Sequence, residues 1–367
     1  MDIINKELII TKEDNPIYTI YIENNYNKLS SVIDKLQLEH GKALIVTDSN
    51  IGIHYAQEVK SIVNQSIPFV EILTLEPGEA NKNIETIQKI YHTLISYQFD
   101  RKDILIALGG GVVGDMTGFA AATYLRGIRF IQLPTSLLAM VDSSIGGKTG
   151  VDYLSYKNMV GAFHQPSAVY INLQVLNTLP EREYYSSFGE IIKHGLIKDK
   201  SYYRWLKSNS SSILSRENES LTEMIYRSCS IKKQVVESDP HENGERALLN
   251  FGHTVGHSIE KQLNFSYLHG ECVSLGIVAA AQLSYEHGNL SIDELEDIKE
   301  TLKQFKLPVC LSNVSFSSKI IAQTTRNDKK MEAGQIKFIL LHSIGAAYID
   351  KTITEQEIES AVQLILI

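Results

Sequence analysis

Apolar runs and amphipathic segments alternate along the first 175 residues of the chain. Segments between the apolar runs, such as residues 84–97 and 112–125, have the spacing or the composition of helices. This rhythm predicts an α/β N-terminal domain over residues 1–175, with a Rossmann-like parallel sheet and helices on both faces. The runs that have the length and composition of strands buried in such a sheet are residues 42–48, 69–75, 104–108, 128–133 and 167–172.

The two ends of the chain show weaker patterns. Polar and apolar positions alternate at residues 16–22, which predicts an edge strand, and residues 24–40 follow with near-helical spacing. After residue 176 the strand pattern fades, and helical periodicity continues to residue 302. Ser291 and Glu294 form a capping box for a late helix. We therefore predict a mainly α-helical C-terminal domain over residues 176–367.

Three glycines follow the strand predicted at residues 104–108. Gly109, Gly111 and Gly114 fit the pattern G-x-G-x-x-G between a strand and a helix. At such a turn, backbone N–H groups and the helix dipole hold a pyrophosphate. The alternative is a tight turn that needs glycine only for packing. In this context we favour a dinucleotide site.

The acid that holds the ribose of a dinucleotide is expected about 20 residues after the glycines. Residues 127–134 contain no Asp or Glu, so no acidic residue occurs where the ribose ligand is expected. Asp48 is a better candidate, because it ends the strand predicted at residues 42–48. Ligands of open α/β sheets bind beyond the carboxyl ends of the strands. We therefore expect Asp48 and residues 109–115 to face one crevice.

Residues 143–150 contain the fragment Gly-Gly-Lys-Thr, which is similar to part of a Walker A loop. Asp142 occupies the position at which that loop requires glycine, so a nucleoside triphosphate site is disfavoured. Lys148 stands beside two glycines and several hydroxyls, which provide the charge and the backbone donors to hold a single phosphate. The alternative is a solvated loop lysine.

Two segments of the predicted helical domain carry metal-ligand residue types one turn apart. A spacing of four residues puts both side chains on one helix face. The motif H-E-x-x-H is absent, which disfavours a zincin protease. Each histidine alone is more often structural, but together they favour a site of two histidines and one glutamate with an open position. Spacing does not choose among six candidates: Glu190, His194, His253, His257, His269 and Glu271.

Composition narrows the classes of function. The chain has 43% hydrophobic and 21% charged residues, as globular proteins do, and its net charge of −8 argues against nucleic-acid and anionic-membrane partners. No apolar run reaches the length of about 18 residues that a membrane span needs, and the N-terminus lacks a secretory signal. The three widely spaced cysteines, Cys229, Cys272 and Cys310, indicate buried thiols in a reducing cytoplasm.

A negatively charged chain needs a local basic cluster to bind an anionic substrate. Basic residues recur around the glycine and histidine motifs. We expect them to hold a highly polar, anionic small molecule between the two domains, which is a common place for pockets. These residues are Arg126, Lys148, Lys157, Lys193, Lys232 and Arg246.

Taken together, these motifs resemble the 3-dehydroquinate synthase family over nearly the whole chain. The most specific blocks are residues 107–119, 133–137, 141–150, 157–158, 188–194 and 246–253. The resemblance implies NAD and zinc as cofactors, with cobalt as the alternative metal. It also implies a sugar phosphate as the substrate and a homodimer as the assembly.

The resemblance also implies roles for individual residues. The implied zinc ligands are Glu190, His253 and His269. The implied substrate and catalytic residues are Arg126, Asp142, Lys148, Asn158, Lys193, Lys232, Arg246, Asn250, His257 and, of the pair Lys329 and Lys330, Lys330. The implied cofactor-binding residues are Asp48, Pro77, Gly78, Glu79, Ala80, Asn81, Lys82, Gly111, Val112, Val113, Gly114, Asp115, Thr135, Ser136, Lys148, Lys157, Val175, Leu176, Asn177 and Thr178. Ser136 stands where many relatives have threonine, which keeps the hydroxyl.

The implied reaction converts 3-deoxy-arabino-heptulosonate 7-phosphate to 3-dehydroquinate and phosphate in the shikimate pathway. NAD oxidises the C5 alcohol, the ketone promotes phosphate elimination, NADH returns the hydride, and an intramolecular aldol step closes the ring. One alternative is a sister cyclase that acts on sedoheptulose 7-phosphate or glucose 6-phosphate. Another is a metal-dependent polyol dehydrogenase. Arg246, Asn250 and His257 favour the substrate with a carboxylate, which arginine grips bidentately.

Overall fold

The computed structural model describes residues 6–38, 41–154, 156–239, 244–264, 266–312, 314, 316–325, 331–332 and 335–366. By its contacts the chain divides into two compact units. The first comprises Met1–Leu179 and Leu221–Lys233, and the second comprises Pro180–Ser220 and Gln234–Ile367. The sequence predicts a single boundary near residue 175 and does not predict that Leu221–Lys233 groups with the first unit.

The first unit is built on a seven-stranded sheet with the order β1-β2-β9-β6-β5-β3-β4. All neighbouring strands are parallel except β1 and β2. The strands are β1 (Lys6–Lys12), β2 (Asn15–Glu23), β3 (Lys42–Asp48), β4 (Phe69–Leu75), β5 (Ile104–Gly109), β6 (Arg129–Pro134), β7 (Lys148–Tyr153), β8 (Tyr156–Phe163) and β9 (Ala168–Asn172). The helices are α1 (Leu29–Lys35), α2 (Ser49–Val63), α3 (Ile84–Ser96) and α4 (Gly111–Thr123).

Burial explains why the central strands are apolar throughout. Every residue of β5 is buried. Leu44, Leu105 and Phe130 of the sheet belong to one apolar core with Ile90 of α3 and Ala120 of α4. The predicted α/β class is confirmed, although the sheet is mixed rather than purely parallel.

Two expectations about the first unit need correction. Residues 16–22 are not an edge strand, because β1 pairs with the outer side of β2 and is itself the edge. The alternating pattern of β2 does not reveal this neighbour. The sequence also did not predict the antiparallel hairpin of β7 and β8, which follows the phosphate-cradle motif.

The second unit is mainly helical, as predicted. Its capping box is confirmed: Ser291 accepts the backbone N–H of Glu294 at the start of a helix. The sequence did not predict the antiparallel pair of strands Phe338–Ser343 and Ala346–Asp350. No described helix has both the length and the apolar character that a membrane crossing needs.

The helices after residue 180 are α5 (Glu181–Ser186), α6 (Phe188–Lys198), α7 (Lys200–Ser208), α8 (Ser210–Leu214), α9 (Asn218–Ser238), α10 (His253–Gln262), α11 (His269–Glu286), α12 (Ile292–Gln304), α13 (Ser318–Thr325) and α14 (Glu355–Gln363). The strands of this part of the chain are β10 (Met331–Glu332), β11 (Gln335–Ile336), β12 (Phe338–Ser343) and β13 (Ala346–Asp350). α9 is shared between the units, because its residues Leu221–Lys233 group with the first.

Candidate active site

The carboxyl ends of β3 and β5 lie side by side where the direction of the sheet topology reverses. The chain runs from β3 outward to β4, returns to β5 on the other side of β3, and then continues to β6 and β9. Thr47 pairs with Leu108, so Asp48 and Gly109 end neighbouring strands. Ligands of open α/β sheets bind at such switch points. The structure thus brings Asp48 beside the glycine-rich segment.

Asp48 also has a structural role at this position. Its Oδ1 accepts the backbone N–H groups of Asn50 at 2.9 Å and Ile51 at 3.0 Å, which caps α2. A cap of this kind contributes about 1 kcal/mol. A test of the predicted ribose contact must therefore keep the cap.

Two glycines of the motif lie in close contact with neighbouring side chains. A Cβ on Gly109 would lie 2.6 Å from Cβ of Val113, and a Cβ on Gly114 would lie 2.8 Å from Oε1 of Gln132. No side chain caps the start of α4, where Gly110 is the N-cap residue. Backbone N–H groups at a bare helix start bind anions. Tight packing and an anion site are therefore both features of this turn.

Lys82 links three of the predicted site segments. Its Nζ donates to Asp115 Oδ2 at 2.7 Å and to Asn158 Oδ1 at 2.6 Å. Burial would lower the pKa of Lys82, but Asp115 raises that pKa above its ordinary value. Burial also raises the pKa of the Asp115 carboxyl, against the effect of Lys82. Asp152 supports the network, because its carboxylate accepts the N–H of Asn158 at 2.7 Å and its own N–H donates to the Lys82 carbonyl at 2.8 Å.

Several hydroxyl oxygens of the described residues are buried without a hydrogen-bond partner, and those of Thr135 and Ser143 lie near the glycines. The backbone N–H of Thr135 donates to the Gly109 carbonyl at 3.0 Å. Oγ of Ser143 lies 3.0 Å from the position of a Cβ on Gly111. A buried hydroxyl without a partner costs about 1–3 kcal/mol. These two therefore fit a bound polar group such as NAD, and Ser143 is a residue that the sequence did not single out.

Two short turns contain most of the remaining predicted NAD residues of the first unit, and Lys157 of β8 lies near the first turn. Glu79–Asn81 forms a 3-10 turn after Gly78, whose φ of 98° favours glycine, and Lys157 Nζ lies 3.8 Å from Glu79 Oε1. The second turn is Leu173–Thr178, in which Oγ1 of Thr178 lies 2.6 Å from the hydroxyl oxygen of Tyr55 on α2.

The phosphate-cradle motif forms a turn that leads into β7. Gly146 and Gly147 have φ of 96° and 66°, the left-handed region that favours glycine, and Lys148 follows with an exposed side chain. Asp142 lies in a π-helical turn and forms an ion pair with Lys232 of α9, whose Nζ also lies 2.5 Å from the Asp142 carbonyl oxygen. Two predicted substrate residues are thereby in contact.

In the second unit, three ligand atoms from α6, α10 and α11 converge. Glu190 Oε1 lies 3.3 Å from His253 Nε2 and 3.6 Å from His269 Nε2. Zinc bonds of about 2.0–2.1 Å in a tetrahedral arrangement separate ligand atoms by roughly 3.3–3.4 Å. Glu190 Oε1 is also buried without a hydrogen-bond partner among the described residues. The three side chains therefore fit a metal ion.

The structure also reduces the number of candidate ligands. Glu271 pairs with Arg182 at 2.7 Å, and its Oε2 accepts the backbone N–H of Leu268 at 2.8 Å. His257 stays in the cluster, because ring nitrogens of His253, His257 and His269 lie within 4.8 Å of one another. The shorter distances of Glu190 favour Glu190 over His257 as the third ligand.

The charges around this cluster stabilise an ionised glutamate. Burial opposes ionisation of Glu190, but the Lys193 ammonium, which pairs with its Oε2, and His269 hold its pKa well below the usual range. Burial would lower the pKa of His269, yet its contacts with Glu190 and Glu260 raise that pKa to about 9.

Glycines let the three helices approach closely. A Cβ on Gly276 of α11 would lie 1.8 Å from the carbonyl oxygen of Gly252, the residue before His253. A Cβ on Gly189 of α6 would lie 2.4 Å from the carbonyl oxygen of Gly270. Glu190, His253 and His269 each stand directly beside one of these glycines in the sequence. The close helix contacts therefore set the separation of the ligand atoms.

We expect Gly276→Ala to destabilise the fold by at least ~2 kcal/mol, since overpacking costs about 1–3 kcal/mol, and to weaken metal binding because it displaces His253. Thermal unfolding and elemental analysis measure the two effects. Gly41→Ala is the control, because its Cβ would come no closer than 3.4 Å to another atom. A Gly276→Ala variant with unchanged stability and metal content would contradict this account.

The other predicted substrate residues lie in different parts of the chain, and not all of them are near the motifs described above. Arg246 is buried and lies with Asn250 in the turn Glu245–Asn250, directly before α10. Arg126 is exposed in a turn after the C-terminal end of α4, at the opposite end of that helix from the glycine motif. Lys329 and Lys330 lie outside the described residues.

Comparison with known proteins identifies close relatives. Residues 72–186 match the family model described as 3-dehydroquinate synthase N-terminal, and residues 187–331 match 3-dehydroquinate synthase C-terminal. The chain is 42% identical over 341 residues to the 3-dehydroquinate synthase of Acetivibrio thermocellus, covering 93% of this chain and 94% of the relative. It is 43% identical over 348 residues to that of Ruminiclostridium cellulolyticum, covering 95% and 96%.

Solved structures with the same fold include two other cyclases. A 2-deoxy-scyllo-inosose synthase, solved with carbaglucose-6-phosphate, NAD⁺ and Co²⁺, superposes with a TM-score of 0.89 at 22% identity, covering 98% of this chain and 100% of that one. The 2-epi-5-epi-valiolone synthase of Streptomyces hygroscopicus, with NAD⁺ and Zn²⁺ bound, has a TM-score of 0.87 at 24% identity, with 98% of each chain covered. A probable glycerol dehydrogenase of Sinorhizobium meliloti has a lower TM-score, 0.59, at 14% identity, covering 94% of this chain and 96% of that one.

Proposed function

Because the chain belongs to the 3-dehydroquinate synthase family, we propose that the residues described above carry out that family's reaction in this protein. The enzyme is a carbon–oxygen lyase that converts 3-deoxy-arabino-heptulosonate 7-phosphate to 3-dehydroquinate and phosphate, with NAD and a divalent metal as cofactors. The observation that carries the residue assignment is the convergence of Glu190, His253 and His269 in a chain that also has a dinucleotide loop.

NAD is assigned to the crevice beyond β3 and β5. Asp48 holds the ribose hydroxyls through the carboxylate, and the bare start of α4 holds the pyrophosphate. The unpaired hydroxyls of Thr135 and Ser143 support a polar occupant. Lys82 connects the NAD segment at Asp115 to the substrate segment at Asn158.

The metal is assigned to Glu190, His253 and His269, with zinc preferred and cobalt as the alternative. When bound, NAD takes and returns a hydride, and the metal polarises the oxygen on the reacting carbon. His257, one turn after His253 on α10, is the imidazole of the cluster that is not assigned to the metal. It therefore accepts or donates a proton at the substrate.

Lysine and arginine side chains bind the anionic groups of the substrate. Lys148, with the backbone of Gly146 and Gly147, binds the phosphate and stabilises its charge as it leaves. Arg246 binds the carboxylate, which a guanidinium holds bidentately. Lys193 and Lys232 bind other polar groups of the substrate. Holding one flexible molecule through several steps is chiefly a task of positioning.

The test of this function is product analysis with a trace of NAD. The protein should release many equivalents of phosphate for each NAD and should form 3-dehydroquinate, without lasting NADH absorbance. If NADH accumulates in proportion to the substrate consumed, the protein is a polyol dehydrogenase. If only sedoheptulose 7-phosphate or glucose 6-phosphate is turned over, it is a sister cyclase.

We expect Asp48→Asn to weaken NAD binding about 10- to 100-fold, since a hydrogen bond to a charged group contributes about 1.5–3 kcal/mol. Asparagine keeps the Oδ1 that caps α2, so stability should not change. Calorimetric titration with NAD measures the affinity. Asp199→Asn, which caps α7 in the second unit, is the matched control. Unchanged NAD affinity would place the ribose elsewhere.

The assembly and location of the protein are also proposals. A second copy of the chain as partner is supported by apolar side chains exposed on the β7–β8 hairpin, those of Tyr153, Leu154, Tyr156, Met159 and Phe163. A sedimentation measurement that shows only monomers would exclude the homodimer. A cytoplasmic location is supported by the three free cysteines, of which Cys229 and Cys272 are buried.

A further inference from the structure

Glu260 lies in the metal cluster but has no role in the assignments above. It stands on α10 seven residues after His253 and three after His257, so all three side chains share one helix face. Its Oε2 lies 3.6 Å from Nδ1 of His269, the first residue of α11. Glu260 is buried, with 5% of its surface exposed. A buried carboxylate is retained where it meets hydrogen-bond donors.

The imidazole of His269 therefore has a carboxylate at each ring nitrogen. Glu190 Oε1 lies 3.6 Å from Nε2, and Glu260 Oε2 lies 3.6 Å from Nδ1. A neutral imidazole has one N–H and one lone pair, and an ionised carboxylate only accepts hydrogen bonds. If Glu190 shares a metal with Nε2, then Nε2 must supply the lone pair and the proton must lie on Nδ1, which faces Glu260.

The second histidine ligand is held in the same way. Nδ1 of His253 lies 3.1 Å from the carbonyl oxygen of Phe251, which can only accept a hydrogen bond and so favours an N–H at Nδ1. Nε2 then faces Glu190 Oε1 at 3.3 Å. Both histidines thus have an acceptor at Nδ1 and present Nε2 to the same glutamate oxygen. An acceptor behind a metal-bound histidine fixes the tautomer and makes the ligand nitrogen more basic.

We propose that Glu260 is a positioning residue for the metal, which orients His269 and holds the proton on its Nδ1 so that Nε2 is free to bind the ion. This inference rests on the metal assignment of the proposed function. The carboxylate does not bind the ion itself. It acts through His269, so its removal should weaken metal binding without abolishing it.

The test is a titration of metal-free protein with Zn²⁺ in competition with a chromophoric chelator. Glu260→Ala should weaken zinc binding about 10- to 100-fold, the usual effect of losing such a partner. Glu260→Gln keeps the size and one acceptor oxygen but loses the charge, so its affinity should lie between those of wild type and Glu260→Ala. Glu286→Gln, at an exposed position on α11, should bind zinc as wild type does.

Two further measurements separate positioning from a merely structural role. The visible spectrum of the Co²⁺ form should shift in Glu260→Gln, because the ligand field that His269 provides at the metal changes. In a His269→Ala background, Glu260→Gln should cause no further loss of zinc affinity. The inference is overturned if Glu260→Gln binds zinc as wild type does, or if its effect persists without His269. If wild-type protein binds no zinc, the metal assignment itself is wrong, and the inference falls with it.

Discussion

His253→Ala is expected to lose its metal and to lose activity by more than ~100-fold, because it removes a direct metal ligand. Loss of a residue that only hydrogen-bonds to a ligand already costs about 10- to 100-fold in metal affinity or activity. His253 Nε2 lies 3.3 Å from the buried Glu190 Oε1, closer than His269 Nε2 at 3.6 Å. Elemental analysis after dialysis measures the metal, and phosphate release measures the activity.

His257→Ala is the matched comparison. It removes an imidazole from the same face of α10, one turn away, within the same cluster of ring nitrogens. If His257 moves a proton rather than binding the metal, this variant keeps its metal and loses rate. Equal loss of metal in both variants would make His257 a metal ligand and would contradict this assignment.

Lys148→Met should reduce phosphate release by about 10²–10³-fold, comparable with the removal of one preorganised donor to a developing charge. Methionine keeps the length of the side chain and the left-handed backbone of Gly146 and Gly147 but removes the ammonium. The measurement is initial phosphate release at saturating NAD.

The Lys148→Met variant also distinguishes between two roles of Lys148, phosphate binding and NAD binding. NAD affinity and metal content should stay unchanged in Lys148→Met if the ammonium chiefly binds the leaving phosphate. Lys148 is also among the residues that the resemblance assigns to NAD, so a large loss of NAD affinity with little change in the rate at saturating NAD would move it to the cofactor site. Lys157→Met, which removes a cation near Glu79, is the comparison for a cofactor role.

The sequence predicted the central strands of the sheet, because a strand that is buried on both faces is a continuous run of apolar residues. The predicted limits agree within one or two residues with the observed limits of β3, β4, β5, β6 and β9. Several strands with a weaker sequence pattern were not predicted. Lys6–Lys12 was missed because its continuous apolar run, Leu8 to Ile10, is only three residues long. β12 and β13 were missed because they follow a long helical region, after which no strand was expected.

The sequence by itself determined the types of residue available for chemistry. It provided a glycine turn after a buried strand, an acid at the end of another, a lysine between left-handed glycines, and six ligand-type side chains at helical spacing. These follow from local physics, because strand burial, turn conformation and helix periodicity are properties of short segments.

The tertiary structure decided which of these residues meet. Asp48 adjoins Gly109 only because β3 sits next to β5, although β4 lies between them in the chain. Lys82 contacts Asn158 across 76 positions of sequence. The distances of Glu190 Oε1 to two histidines favour Glu190, His253 and His269 among the six candidates, which spacing alone does not do. No sequence pattern predicts that Glu260 lies next to His269. Contacts between distant segments depend on how helices and strands pack, so only the folded chain establishes them.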